Sequence, residues 1–284
     1  MNIDEAKKRI LTSKQYSESD FCKNHNNSYV FTLKEKGKEI FFFGTSHITD
    51  PNDPLFIKVK ESFDSFNPDM VYIEGIAKRG FEYYLEKTIS PLSFEEAKMR
   101  GEPAYVAKLT SKLMEGKEVG LESPEPPETE EVIRLESRGF SRREIFQYYF
   151  RRMVAQYQRT YGKNKNLEDK DEFVNYISKR RAYMKPESLG WTQDEINKLF
   201  YEELSILELT NVEKYRSEVD PIPWEGKPYG RVSEVSDASG RIRDEYIVER
   251  IAEGLKNYNK IFIVYGYSHA VVLEPALEYL IKSI

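Results

Sequence analysis

Histidine is scarce in this chain, three among 284 residues, and two of the three close the same four-residue pattern. Ile40 to Phe43 leads into Gly44-Thr45-Ser46-His47, and Ile261 to Tyr265 leads into Gly266-Tyr267-Ser268-His269. A histidine in a loop is in general merely hydrogen-bonded or solvated, but two delivered by the same Gly-x-Ser-His ending call for a shared explanation. Two imidazoles and one carboxylate with an open position form a catalytic zinc set, and the same donors suit iron(II), manganese or cobalt. Such an ion lowers the pKa of its water to ~7 and polarises the bond to be broken. Glu74, which closes the run Met70 to Ile73, is the candidate carboxylate ligand beside His47 and His269; its alternative role is to cap a neighbouring helix. Glu102 and Glu122 are further candidates for a general base or for supporting the ligands. Arg243 could stabilise an oxyanion, or simply pair with Glu74 or Asp244. Ser46 and Ser268 are not read as nucleophiles, because neither sits in the Gly-x-Ser-x-Gly elbow.

The elements that must position these residues are legible as punctuated apolar runs. Tyr29 to Leu33 and Glu39 to Phe43 flank Lys34-Glu35-Lys36-Gly37-Lys38 and read as a hairpin whose second arm carries His47. A short apolar run closed by glycine reads as a strand buried on both faces, with the glycine expected to let the backbone turn. Asp53-Pro54 opens a helix through Phe66, Asn67-Pro68-Asp69 stops it, and Met70 to Ile73 is the next strand. That order is a βαβ unit and implies parallel pairing. A helical stretch from about Ser93 to Glu115 breaks near Gly101-Glu102-Pro103, and Lys117 to Leu121 reads as a further strand ending on Glu122. Arg241 to Asn257 is expected to be a helix with Ile242, Tyr246, Ile247, Ile251 and Leu255 along one stripe. It feeds a last strand, Ile261 to Tyr265, and Glu274-Pro275 begins or kinks a terminal helix. The fold class is α/β, a central mostly parallel sheet with flanking helices, and His47, Glu74, Glu122 and His269 should meet along one edge. Ligands bind at the carboxyl edge of such sheets.

Between Glu128 and Ser217 the pattern becomes helical. Ser141-Arg142-Arg143-Glu144 and Thr192-Gln193-Asp194-Glu195 are capping boxes. The expected organisation is a core domain of residues 1–127 and 218–284 and an inserted helical subdomain, 128–217, lying over the site as a lid. Residues 134–181 hold thirteen basic and six acidic side chains, a local charge of +7. Such a block is ordinarily a solvated helical face; a cover for an anionic substrate is the alternative, and with no nucleic-acid motif beside it nucleic acid is not an expected partner. Tyr148, Tyr149, Phe150 and Tyr157 could supply a homodimer contact.

Composition bounds the rest. Apolar content of 39% supports a core, while 32% charged residues and a mean hydropathy of -0.65 imply polar helices around it. The formal charge of -5 gives no general attraction to polyanions. A single cysteine, Cys22, excludes an internal disulfide framework and fits a reducing compartment. No apolar leader opens the chain and no stretch is long enough to span a bilayer, so a cytoplasmic protein without membrane contact is the expectation.

Taken together, Gly44-Thr45-Ser46-His47, the strand Val71-Tyr72-Ile73-Glu74, and Gly266-Tyr267-Ser268-His269 resemble the TraB/PrgY/GumN family, to which the Tiki proteases belong. Arg243-Asp244-Glu245-Tyr246-Ile247-Val248-Glu249-Arg250-Ile251 resembles the helix before that family's second Gly-x-x-His. More distantly, Gly101-Glu102-Pro103-Ala104-Tyr105 and Glu122-Ser123-Pro124 are similar to elements of the erythromycin esterase/ChaN-like superfamily. The resemblance covers roughly residues 40–125 and 240–284 and leaves the inserted helices unmatched. It implies a helix-flanked sheet with a site built from His47, Glu74 and His269 and with Arg243 at the family's arginine. It implies, further, a metal-dependent hydrolase favouring manganese or cobalt and cleaving a peptide or a small ester. Relatives in this broad group also inhibit peptide pheromones, open a macrolactone or bind haem iron. Two alternatives follow: a non-catalytic peptide- or haem/iron-binding protein, and a metal-free esterase working through the histidines and Glu102. The chain departs from the Tiki pattern in showing no membrane anchor and in carrying the long charged insertion.

Overall fold

The computed structural model describes residues 1–24, 28–48, 50–75, 84–161, 170–181, 190–222, 224, 226–227 and 229–284. His25 and the middle of the basic block, 162–169, lie outside these. The chain divides into two compact units, one formed by residues 1–125 with 244–284 and the other by residues 126–243.

The first unit is built on a five-stranded sheet in the order β1-β2-β5-β3-β4. β1 (Ser28–Glu35) and β2 (Lys38–Thr45) form the expected antiparallel hairpin. Its two-residue turn, Lys36 and Gly37, has φ of 47° and 82°, the doubly left-handed geometry that matches strand twist. β5 (Lys260–Gly266) pairs in parallel with β2 on one side and with β3 (Met70–Ile73) on the other. β4 (Gly120–Glu122) completes the sheet beside β3. The βαβ unit from β2 to β3 therefore leaves a gap that the last strand fills. That position accounts for the composition of β5: Ile261, Phe262, Ile263, Val264 and Tyr265 have no exposed surface, as a strand covered on both faces requires.

Successive residues point to opposite faces. Phe43, Val71, Ile73, Phe262 and Val264 pack with Phe56, Val59 and Phe63 of helix Leu55–Phe66 and with Tyr105, Val106 and Leu109 of helix Glu102–Leu113. On the other face the Tyr72 hydroxyl donates to the Arg250 carbonyl at 2.9 Å, and the terminal helix, Tyr267–Lys282, lies against β1, β2 and β5. Glu274 of that helix accepts from the Tyr29 hydroxyl. Burial, and then this carboxylate, push the hydroxyl up to about 12, so it remains a donor at neutral pH.

Three local expectations change. The terminal helix starts at Tyr267 rather than near Glu274, and Pro275 lies inside it, so His269 occupies a first helical turn and not a loop. Ala270, Val271, Val272 and Leu273 explain the early start, since all four are buried. The fourth strand is shifted to Gly120–Glu122. The helix expected from Arg241 begins at Arg231 and runs to Asn257. Its first half escaped notice because it turns serines inward: Ser233 and Ser236 donate to the Glu218 and Val219 carbonyls at 2.9 and 2.7 Å.

The second unit is helical, with Ile145, Phe150, Tyr157, Phe173 and Phe200 in one core. Both capping boxes form, Ser141 with Glu144 and Thr192 with Glu195. Part of the basic surplus meets carboxylates, most of them later in the chain. Arg151 pairs with Glu203 and Glu218, Arg142 with Glu136 and Glu195, and Arg143 with Glu202. The unit ends at Arg243, beyond the Ser217 expected for the insertion, because the long helix carries the chain out of it. No helix among the described residues is long and apolar enough to cross a membrane.

Gly44 lies within a strand, so its role is steric and not a turn. A methyl there would lie 2.7 Å from Ala270 Cβ and 2.8 Å from Tyr267 Cα, and a backbone atom cannot yield as a flexible side chain does. Gly44→Ala should therefore lose ~1–3 kcal/mol in urea unfolding. Gly116→Ala, with nothing within 4 Å of the new methyl, should change by less than about 0.5 kcal/mol. Equal unfolding midpoints for the two variants would contradict this packing.

Candidate active site

Register brings the site together. Thr45 stands level with Gly266 across the β2–β5 ladder, and Glu74 extends the β3–β5 ladder by donating its amide to the Val264 carbonyl at 3.2 Å. The segments after β2, β3 and β5 therefore leave the sheet side by side, and each carries one of the three expected donors.

Glu74 is the best fixed of these. Its Oε2 accepts from the Gly266 amide at 2.9 Å, and Gly75, with φ of 77°, turns the chain away immediately afterwards. The same oxygen lies 3.4 Å from His47 Nε2. His47 has φ of 61°, a left-handed conformation uncommon outside glycine and concentrated at functional sites. Its side chain is 55% exposed, so the ring has a half-buried partner and also meets solvent.

His269 approaches from the first turn of the terminal helix. Its Nδ1 is 2.6 Å from Asp244 Oδ1. A carboxylate oxygen at that distance accepts, so Nδ1 is the donor and Nε2 is the ring nitrogen left for another partner. Tyr265 meets the ring edge-on at 4.8 Å between centroids, and its own hydroxyl donates to Glu125 at 2.7 Å. Asp244 is almost buried, and carboxylate and ring together form a fixed pair.

The three side chains border one bare α-carbon. A methyl built on Gly266 would lie 3.4 Å from His47 Nε2, 3.6 Å from Glu74 Oε2 and 3.6 Å from His269 Cδ2. The second motif glycine therefore leaves open the space on which these side chains converge.

Other expected residues fall elsewhere. Glu122 does not join the group. It stands level with Tyr72 and hence with Ile263, two strands across from β5, about 10 Å, and it is bound by Arg250. Glu102 is fully buried, and its Oε1 accepts from the Ile48 amide at 2.9 Å. Arg243 belongs to the second unit. Ser46 is exposed and Ser268 lies within the terminal helix.

Asp244 was passed over as a site residue, although a signal for it existed. It lies in register with Ile247, Val248, Ile251 and Leu255, all buried on one helical face, and an acid on an apolar face must have a partner.

The donor set suits a divalent ion. Two ligands each about 2.1 Å from a tetrahedral ion are ~3.4 Å apart, the separation found between His47 Nε2 and Glu74 Oε2. His269 offers Nε2 as a third donor, while Asp244 holds Nδ1 in the manner usual for ligating histidines. As the side chains stand, no group of three His, Cys, Asp or Glu donors among the described residues closes on one point. The arrangement also suits acid–base work, with an Asp–His pair on one side of the Gly266 opening and a His–Glu pair on the other. Against models of known families, curated proteins and solved structures, the chain finds no match.

Two substitutions test the geometry. Gly266→Ala should fold with nearly wild-type stability, since its contacts are ordinary van der Waals distances, yet lose ligand or metal binding because a methyl occupies the opening. Retained binding would show that the opening is not used. Asp244→Asn should shift the His269 ring nitrogens in nitrogen-15 spectra and weaken function 10–100-fold. An unchanged His269 spectrum would remove Asp244 from the site.

Proposed function

We propose that this chain is a metal-dependent hydrolase of the TraB/Tiki-like class, acting on a peptide or small ester bond. The observation that supports it is the convergence of His47, Glu74 and His269 on the open α-carbon of Gly266, from three separate strand ends and in the order of the family motif. His47, through Nε2, and Glu74, through Oε2, would hold the ion, with Nε2 of His269 as third donor. When bound, a divalent ion of the manganese, cobalt, zinc or iron type supplies Lewis acidity at a carbonyl and a more acidic water.

This chain's residues do the remainder. The Gly266 amide keeps Glu74 oriented, and Asp244 keeps the His269 proton on Nδ1. Glu74, an acceptor facing His47 and the opening, is placed to take a proton from an attacking water.

A second reading is favoured by the Asp244–His269 contact, together with the lack of a closed three-donor group among the described residues. In it the two imidazoles carry out general acid–base ester hydrolysis without a metal. Elemental analysis of protein purified without chelator, with activity assays of His47→Ala and His269→Ala, tests the proposal. About one equivalent of metal is expected, lost in both variants, with activity falling by at least ~100-fold. Activity that survives chelation but not either substitution supports the metal-free reading. A metal-free protein with unchanged activity in both variants would end both.

A further inference from the structure

We infer that Glu102 is the residue that holds His47 in position, acting through the backbone and not by carrying a proton. The inference deepens the reading above, since it takes His47 as part of the site. The His47 backbone is left-handed, a conformation uncommon for a residue with a side chain, and a contact from outside the turn can hold it there. The Ile48 amide, next along the chain, receives that hold. It donates at 2.9 Å to Oε1 of Glu102, a residue 54 positions away.

The surroundings are built for this contact. Glu102 opens helix Glu102–Leu113 and has no exposed surface. Gly101 before it is left-handed at φ 97°, and a methyl on Gly101 would lie 3.5 Å from the Ile48 carbonyl oxygen. The Gly101–Glu102 pair therefore sits against both polar groups of the Ile48 backbone. Thr45 shares its face of β2 with Phe43, the face packed on this helix. The Thr45 hydroxyl and Glu102 Oε2 are both buried without a hydrogen-bond partner among the described residues, so the turn bearing His47 has buried polar atoms on either side.

A group that transfers a proton must come within hydrogen-bond reach of the reacting atom. Glu102, with one oxygen bound to a backbone amide and the other enclosed, reaches only the chain. Its role is to be an acceptor, which an amide can perform as well as a carboxylate.

The test compares Glu102→Gln, which keeps an acceptor oxygen and removes the charge, with Glu102→Ala, which removes the acceptor. The readouts are ring spectra of isotope-labelled histidine, simple in a chain with three histidines, and titration with manganese or zinc alone. Glu102→Ala should move or broaden the His47 resonances, leave those of His269 in place, and weaken metal binding 10–100-fold. Glu102→Gln should restore both to near wild type. Gln as disruptive as Ala, or Ala leaving His47 unchanged, overturns the inference. Should Glu102→Ala fail to fold, Gly101→Ala takes its place: it should disturb His47 and spare His269, and disturbing both or neither overturns the inference. If the wild type takes up neither metal, the metal reading fails while the histidine spectra still decide the role of Glu102.

Discussion

The hydrogen bond from the Gly266 amide to the Glu74 carboxylate is the contact around which the first unit is organised at the carboxyl edge of its sheet. It joins the end of the central strand to the end of its neighbour, at a point where the sheet no longer supplies backbone acceptors. It also uses one face of the carboxylate, so the remaining lone pairs turn toward His47. A side chain on residue 266 would fill the space that the bond frames. The site thus begins as a solution to a backbone problem, satisfying a strand-end amide, and the chemistry is arranged around that solution.

The two histidines are held by different means. Asp244 binds the His269 ring itself, a side-chain contact that selects a tautomer. His47 has a left-handed backbone, meets Glu74 at 3.4 Å through Nε2, and keeps its ring largely open to solvent. One imidazole is therefore bound at a ring nitrogen by a buried acid, while the other has more of its surface in solvent. That asymmetry suits a site in which one nitrogen keeps its place while the other meets an incoming group.

The sequence carried the donors and the sheet, because strands buried on both faces leave continuous apolar runs and their ends are punctuated by Gly44, Gly75 and Gly266. What it hid is equally physical. The reach of the terminal helix was concealed by Pro275, a residue ordinarily found at helix starts and here accommodated within one. The front of helix Arg231–Asn257 was concealed by inward-facing serines that satisfy carbonyls instead of burying methyl groups. Both motif glycines looked like turn residues, yet each is needed for the absence of a side chain: Gly44 for helix contact and Gly266 for the opening. Glu122 was expected beside Glu74 along one edge in a supporting role, but strand order placed it at the sheet's far edge with Arg250 as its partner. Strand order depends on which distant segments pair, and local pattern holds no record of it.

The sheet order also has a bearing on how the molecule is made. β5, last of the five strands along the chain, lies between β2 and β3, so during synthesis those two emerge with a vacant lane between them. Chains fold from the amino end as they are produced, and here the β1–β2 and β3–β4 pairs can form early but cannot join until β5 threads between them. Until β5 has been made, the inner edges of β2 and β3 are unpaired, a template for wrong association.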